Sequence, residues 1–342
     1  MKKFKVGIIG CGNIFAMHAQ SIKEMENTEI VAVCDIKEDR ASEKGEQYNC
    51  NYYIDYKEML MKEDIDVVHI CLPHYLHGEV SIYSSNLGKH VLTEKPMSIA
   101  IEDGENMVKA AKDNNVTLGV IFQNRYNPGS VLIKETIESG MLGKIKAGKL
   151  EVTWDRSDEY YTNSDWKGTW DKEGGGVIID QAIHTMDLMR WFVDDEIEYI
   201  NANISNRTHE IIEVEDSAEG VIKYKNGVLT SFHAINYYSY DAPVSIELHC
   251  ENGIVKMVAD RAHIKFNDGR ELIADNDPNE TFDYGNGAKG YWGTSHKKQI
   301  KNFYKSIENG VQPHINGEEA LKTQKMICSI YASGKRGMKI KF

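Results

Sequence analysis

Short apolar runs and helical stretches alternate through the first third of the chain. Val6 to Ile9 suits a strand buried on both faces, and a helical pattern opens at Ile14 once Gly10 and Gly12 have broken the run. Strand-like segments recur at Glu29 to Cys34, Val67 to Leu72, His90 to Thr93 and Thr117 to Phe122. Helical ones fall between them at Gly78 to Leu87 and Ser98 to Asn114. Such alternation predicts right-handed βαβ units and a parallel sheet, an α/β architecture of the doubly wound kind.

Beyond Gln123 the period changes. A helix near Gly129 to Ser139 leads to a strand at Ile145 to Trp154, and from Ile197 onward Glu219 to Tyr224, Val228 to Tyr238 and Val244 to His249 read as β. Asn226-Gly227 and Asn252-Gly253 are hairpin signals, so this half reads as a large, mainly antiparallel sheet with helices. A chain of 342 residues is long for one core, which predicts two domains, 1–123 and 124–342. The last helices are expected at Lys297 to Glu308, opened by Tyr291 to His296 with Ser295 as N-cap, and at Gly317 to about Ser333.

Composition narrows the partners. A net charge of -12 opposes non-specific binding to nucleic acid or an anionic membrane and favours small molecules. The six cysteines are scattered, without a Cys-x-x-Cys pair, and several sit in apolar runs, as reduced core residues do. No stretch is long and apolar enough to span a bilayer, and Met-Lys-Lys-Phe lacks the apolar core and cleavage site of a leader. These points lead to the expectation of a cytoplasmic protein.

The glycine loop after the first strand carries chemistry. Gly10 can take backbone angles closed to other residues, and Gly12 leaves room for a pyrophosphate at the N–H groups of the following helix, so Gly10, Gly12, Asn13 and Ile14 form an anion seat. Phe15 stands where the dinucleotide fingerprint has Gly or Ala. Asp35 lies 23 positions beyond Gly12, at the end of the second strand, where a carboxylate binds both ribose hydroxyls and repels a 2′-phosphate. This favours NAD over NADP, although Lys37 and Arg40 are near; N-capping is the other role open to Asp35.

Ligands of doubly wound sheets sit beyond the carboxyl ends of the strands, which places Pro73, His77, Glu94, Lys95 and Gln123 near the cofactor. Lys95 ends a buried strand beside Pro96, a setting that desolvates its ammonium and lets it polarise a reacting oxygen. Neither His69, His74 and His77 nor any other group completes a metal-ligand set, so no metal is expected.

In the second half, Gly174 to Gly176 precede an apolar helix expected to run unbroken to Phe192. Asp180 and His184, spaced i and i+4, would share one face of it, the carboxylate tuning the imidazole as a general base. The glycines would admit a ligand or another backbone. Tyr160, Tyr161 and Trp170 fall in an irregular stretch suited to stacking on a polyol, and they join Arg125 and His296 as candidate substrate residues.

Taken together, these segments resemble the Gfo/Idh/MocA oxidoreductases. The marks are Gly10-x-Gly12 followed by His18, Asp35, Glu94-Lys95-Pro96, and Gly174 to Gly176 leading to Asp180-x-x-x-His184. The resemblance implies a Rossmann domain and an α/β domain whose open sheet mediates homodimers or homotetramers, with Lys95, Asp180 and His184 as catalytic residues. Trp166-Lys167 resembles the Trp-Arg pair that many relatives place near the nicotinamide, and Phe15 and Lys167 depart from the commonest pattern. The expected reaction is NAD-dependent oxidation of a secondary hydroxyl of a sugar, cyclitol, glycoside or nucleotide sugar. The alternatives are an NAD-dependent glycosidase working by transient oxidation and elimination, or a non-enzymatic NAD- and sugar-binding regulator.

Overall fold

The computed structural model describes residues 3–276 and 295–342. They fall into two compact units. The first holds β1 (Phe4–Ile9), α1 (Phe15–Lys23), β2 (Thr28–Cys34), α2 (Glu38–Tyr48), β3 (Asn51–Tyr53), α3 (Tyr56–Lys62), β4 (Val67–Ile70), α4 (His77–Asn86), β5 (His90–Thr93), α5 (Ile101–Asp113) and β6 (Leu118–Val120). Its strands are hydrogen-bonded in the order β3-β2-β1-β4-β5-β6, every pair parallel. Winding reverses between β1 and β4, and the crevice at that switch point is where such sheets bind ligands.

The apolar runs are continuous because helices cover both sheet faces: all of β4 and the last four residues of β1 are buried. Phe15 belongs to this core, 1% exposed and edge-on to Tyr48 with ring centroids 5.6 Å apart. Its side chain serves packing, which explains how the loop accommodates a large residue at that position.

The second unit comprises residues 124–276 and 323–342. It contains α6 (Pro128–Glu138), β7 (Ile145–Thr153), α7 (Asp158–Thr162), α8 (Val177–Asp180), α9 (Ile183–Val193), β8 (Ile197–Ser205), β9 (Ser217–Tyr224), β10 (Leu229–Ile235), β11 (Ser245–Cys250), β12 (Gly253–Val258), β13 (Arg261–Phe266), β14 (Glu271–Ala274) and β15 (Ile340–Lys341). The sheet order is β14-β13-β12-β11-β7-β10-β9-β8-β15, antiparallel except for the parallel pair β7 and β10. Burial alternates along β12, with Val255 and Met257 inward and Ile254, Lys256 and Val258 outward. Helices α6 and α9 pack on this sheet.

Three elements differ from the sequence expectation. Helix α10 (Ser295–Glu308) packs against α1 and supplies Ile300, Phe303 and Tyr304 to the core of the first unit, although its position in the chain suggested the second domain. The last helix, α11 (Gly317–Arg336), has residues up to Lys322 in the first unit and the remainder in the second. The expected helix from Val177 to Phe192 is broken into α8 and α9 at Gln181 and Ala182, where Ala182 N–H bonds to the Val177 carbonyl at 2.8 Å. Tyr291 to Thr294 lie outside the described residues. No helix among the described residues is long and apolar enough to cross a membrane.

Candidate active site

In the first unit the glycine loop is closed by Asp35. One carboxylate oxygen of Asp35 accepts the Cys11 N–H at 2.9 Å and the other accepts the Lys37 N–H at 2.9 Å, so the residue serves both the loop and the start of α2. Gly10 has φ +99°, and a Cβ there would lie 2.2 Å from the Cys71 carbonyl oxygen; no other residue fits between β1 and β4. At Gly12 a Cβ would meet nothing within 4 Å. The crest of the loop is therefore open space at the start of α1, flanked by Asn13 and by Ile14, which caps α1 without a side-chain bond. This cradle fits a dinucleotide phosphate approaching the helix N–H groups.

Around the strand ends, Pro73 precedes a single 3-10 turn, and His77 opens α4. The His77 ring faces the Pro96 carbonyl through Nδ1 (2.7 Å) and the Leu72 carbonyl through Nε2 (2.8 Å), bracing the segment after β5 against the end of β4. Burial lowers its pKa, and the two carbonyls oppose that shift. The Lys95-Pro96 bond is cis. Glu94 is buried, with one oxygen 2.9 Å from His18 Nε2 and the other accepting the Lys95 N–H at 3.2 Å. Burial alone would raise its pKa, but the bonds from His18 and His296 outweigh that and hold the carboxyl well below the usual range. Gln123 is buried at the start of a 3-10 turn. No group of three or more His, Cys, Asp or Glu among the described residues is arranged to hold a metal ion.

In the second unit the glycines admit other parts of the protein. A Cβ on Gly175 would lie 2.1 Å from the Tyr331 hydroxyl, and one on Gly176 would lie 1.9 Å from the Glu215 carbonyl oxygen. The buried Glu215 carboxylate accepts the N–H groups of Gly176 (2.8 Å) and Ile178 (3.1 Å) and the Tyr331 O–H (2.9 Å), which caps the single turn of α8. Burial pushes its pKa up to about 7.

That turn delivers Asp180. Its Oδ2 receives Lys167 Nζ at 2.6 Å, Gln181 Nε2 at 2.9 Å and the Tyr160 hydroxyl. Lys167 also lies 4.2 Å from the Tyr160 ring centroid and 4.8 Å from that of Trp166. The fully buried Glu173 carboxyl, 3.9 Å from Lys167, is pushed up to about 8 by burial and by the charge of Asp180. His184 follows in the first turn of α9. Every other residue of that helix is buried, and only His184 is half-exposed.

Arg125 and Tyr161 take structural places instead of substrate-facing ones. Arg125 is 2% exposed and bonds to both oxygens of Asp187 (2.7 and 2.6 Å), which also receives the Thr323 hydroxyl. The buried Tyr161 hydroxyl accepts Asn236 Nδ2 at 2.7 Å. Trp170 donates its ring N–H to the Glu213 carbonyl at 2.9 Å and stands edge-on to Tyr331. His296 belongs to the first unit, 3.6 Å from Glu94 and 2% exposed. The sequence reading named Lys167 only as the partner of Trp166, and it did not name Glu173, Gln181 or Glu215, which surround Asp180 and its turn. Only the departure of Lys167 from the Trp-Arg pattern gave any signal for one of them.

A parallel sheet wound 3-2-1-4-5-6 with an open glycine crest, and a second unit presenting an ion-paired aspartate and a histidine, define a two-part NAD(P)-dependent oxidoreductase. The chain belongs to the Gfo/Idh/MocA family: residues 4–122 match the oxidoreductase family, NAD-binding Rossmann fold, and residues 131–256 match the GFO/IDH/MocA C-terminal domain. It is 27% identical over 323 residues to the myo-inositol 2-dehydrogenase of Thermotoga maritima, covering 92% of this chain and 91% of that one. Two solved structures, WlbA dehydrogenases in complex with NADH and UDP-GlcNAcA, are similar throughout. The Bordetella pertussis protein has a TM-score of 0.88 at 27% identity, covering 100% of this chain and 99% of that one. The Chromobacterium violaceum protein has a TM-score of 0.89 at 29% identity, covering 100% and 96%.

Proposed function

We propose that the chain is an NAD-dependent dehydrogenase that oxidises a secondary hydroxyl of a sugar, cyclitol, glycoside or nucleotide sugar. The observation that carries this reading is His184, the one residue of α9 that is not buried, four positions after an Asp180 carboxylate held by Lys167, Tyr160 and Gln181. An imidazole so presented is suited to accept a proton near neutral pH. The relatives named above, an inositol dehydrogenase and two nucleotide-sugar complexes, support the substrate class.

Gly10, Gly12, Asn13, Ile14, Asp35, Pro73, His77, Glu94, Lys95, Gln123 and Trp166 are assigned to holding the cofactor, with Asp35 selecting NAD over NADP by its charge. Bound NAD supplies the hydride acceptor. His184 takes the hydroxyl proton, Lys95 holds and polarises the same oxygen, and Asp180 orients His184 or grips a neighbouring hydroxyl. Tyr160 and Trp170 contribute aromatic surface to the sugar. We assign residues 1–123 to the cofactor and 124–342 to substrate and to self-association through the open face of the nine-stranded sheet, while noting that α10 packs with the first unit.

A screen of inositols, free sugars, glycosides and nucleotide sugars for NADH absorbance tests the reading. Lys95→Ala and His184→Ala, shown to be folded, are expected to abolish turnover of any responsive substrate. Full turnover by either variant overturns the roles assigned. Aglycone release without net NADH formation would establish the glycosidase instead, and NADH binding without any turnover would establish the regulator.

A further inference from the structure

Five polar side chains thread the interior of the first unit in one line. The Tyr304 hydroxyl on α10 lies 2.9 Å from His69 Nε2 on β4, and His69 Nδ1 lies 2.7 Å from His18 Nδ1 on α1. His18 Nε2 lies 2.9 Å from Glu94 Oε1, to which His296 Nε2 approaches within 3.6 Å. Tyr304, His69, His18 and His296 are each at most 2% exposed, and Glu94 is 7% exposed. Buried polar groups at such density demand complete pairing, because an unmade bond in the interior is expensive.

The line has a direction. Glu94 as a carboxylate only accepts, so His18 must donate through Nε2. In the neutral form of His18 the remaining nitrogen, Nδ1, accepts, which requires His69 to donate through its own Nδ1 and to accept from the Tyr304 O–H at Nε2. Every donor points toward Glu94. Burial, the largest influence on it, keeps the His69 pKa well below its ordinary value, in accord with a neutral ring. At the far end, Glu94 Oε2 accepts the N–H of Lys95, so whatever fixes this carboxylate also fixes the backbone from which Lys95 projects.

We infer that Tyr304, His69 and His18 form a positioning relay that holds the Glu94 carboxylate as the anchor of Lys95. The inference rests on the role given to Lys95 above. The three relay residues touch neither substrate nor cofactor; their contribution is to set the conformation of the segment that carries the catalytic lysine. A side chain placed on a strand-end segment is only as well positioned as its backbone, and this backbone bonds to a carboxylate held from behind by the buried His18.

Nitrogen-15 NMR of histidine-labelled protein reads the tautomers of His18 and His69 directly. The expected result is a proton on Nε2 of His18 and on Nδ1 of His69; the opposite tautomer at either residue overturns the relay. Carbon-13 dimethylation of the lysines, with Lys95 assigned by loss of its signal in Lys95→Arg, then reports its environment without a substrate. His18→Leu is expected to move the Lys95 signal to the exposed-lysine position, and His18→Gln, whose amide replaces the Nε2 donor, to restore it. Tyr304→Phe, the mildest change, is expected to shift the His69 ring resonances while leaving NADH binding measurable by tryptophan fluorescence. An unmoved Lys95 signal in His18→Leu, or no rescue by glutamine, refutes the inference. Full turnover by Lys95→Ala would instead refute the assigned role of Lys95 and leave the tautomers as measured.

Discussion

Asp35 Oδ2 accepts the Cys11 N–H at 2.9 Å, so the acid that ends β2 also shapes the glycine loop after β1. Removing it changes two things at once, the ribose acceptor proposed above and a loop brace. A hydrogen bond to a charged group is worth about 1.5–3 kcal/mol, or roughly ten- to a hundredfold in affinity. Asp35→Ala is therefore expected to raise the Kd for NAD by about that factor and to narrow the preference over NADP. Titration with both dinucleotides checks this; an unchanged ratio would place nucleotide choice elsewhere.

Phe15 is read as a packing residue, and its substitution should be felt in stability. Truncating a buried phenylalanine costs about 3–5 kcal/mol. Phe15→Ala is expected to lower the urea midpoint accordingly while the folded fraction binds NADH nearly as before. A large affinity loss at unchanged stability would mean that Phe15 shapes the cofactor seat.

The buried pair of Arg125 and Asp187 is expected to behave as a structural unit. Removing one partner leaves an uncompensated charge and costs about 3–5 kcal/mol. Arg125→Leu should therefore unfold at lower urea, and adding Asp187→Leu should recover only part of the loss, because it also removes the carboxylate 3.8 Å from the buried Arg190. Neither should change the KM for substrate, since the guanidinium is 2% exposed and fully engaged.

Two buried acids give stability a pH dependence. Glu215 and Glu173 have pKa values pushed up to about 7 and about 8, against an ordinary 4.5, chiefly by burial. Between pH 4.5 and those values the folded state holds protons that the unfolded chain has released, so stability falls as pH rises through that window. Calorimetry of wild type, Glu173→Gln and Glu215→Gln at pH 5.5 and 8.5 should show a smaller alkaline loss in the variants. Equal losses in all three would mean that these carboxyls ionise freely.

Legibility in the sequence followed the range of the interactions. The strands β1, β4 and β5 stand out because burial on both faces makes them mostly apolar, and Asp35 is found by its spacing from Gly12. The break between α8 and α9 leaves no mark, because no proline or glycine lies between Val177 and Phe192. What secures α8 as a separate turn is Glu215, 37 positions from the Ile178 N–H that it caps. Lys167 is 13 positions from Asp180 and follows no helical or strand period. His69 and Tyr304 meet across 235 positions, beyond the reach of any local pattern.

The placement of α10 has a consequence for how the chain matures. Ile300, Phe303 and Tyr304 complete the core beneath β1, yet they are synthesised after every strand of the nine-stranded sheet except the short β15. The nascent first 123 residues therefore emerge with an apolar face uncovered, and they stay incomplete until almost the whole polypeptide has left the ribosome. The nucleotide-binding unit begins first yet waits for α10, so a fragment ending at Gln123 should expose this face and aggregate.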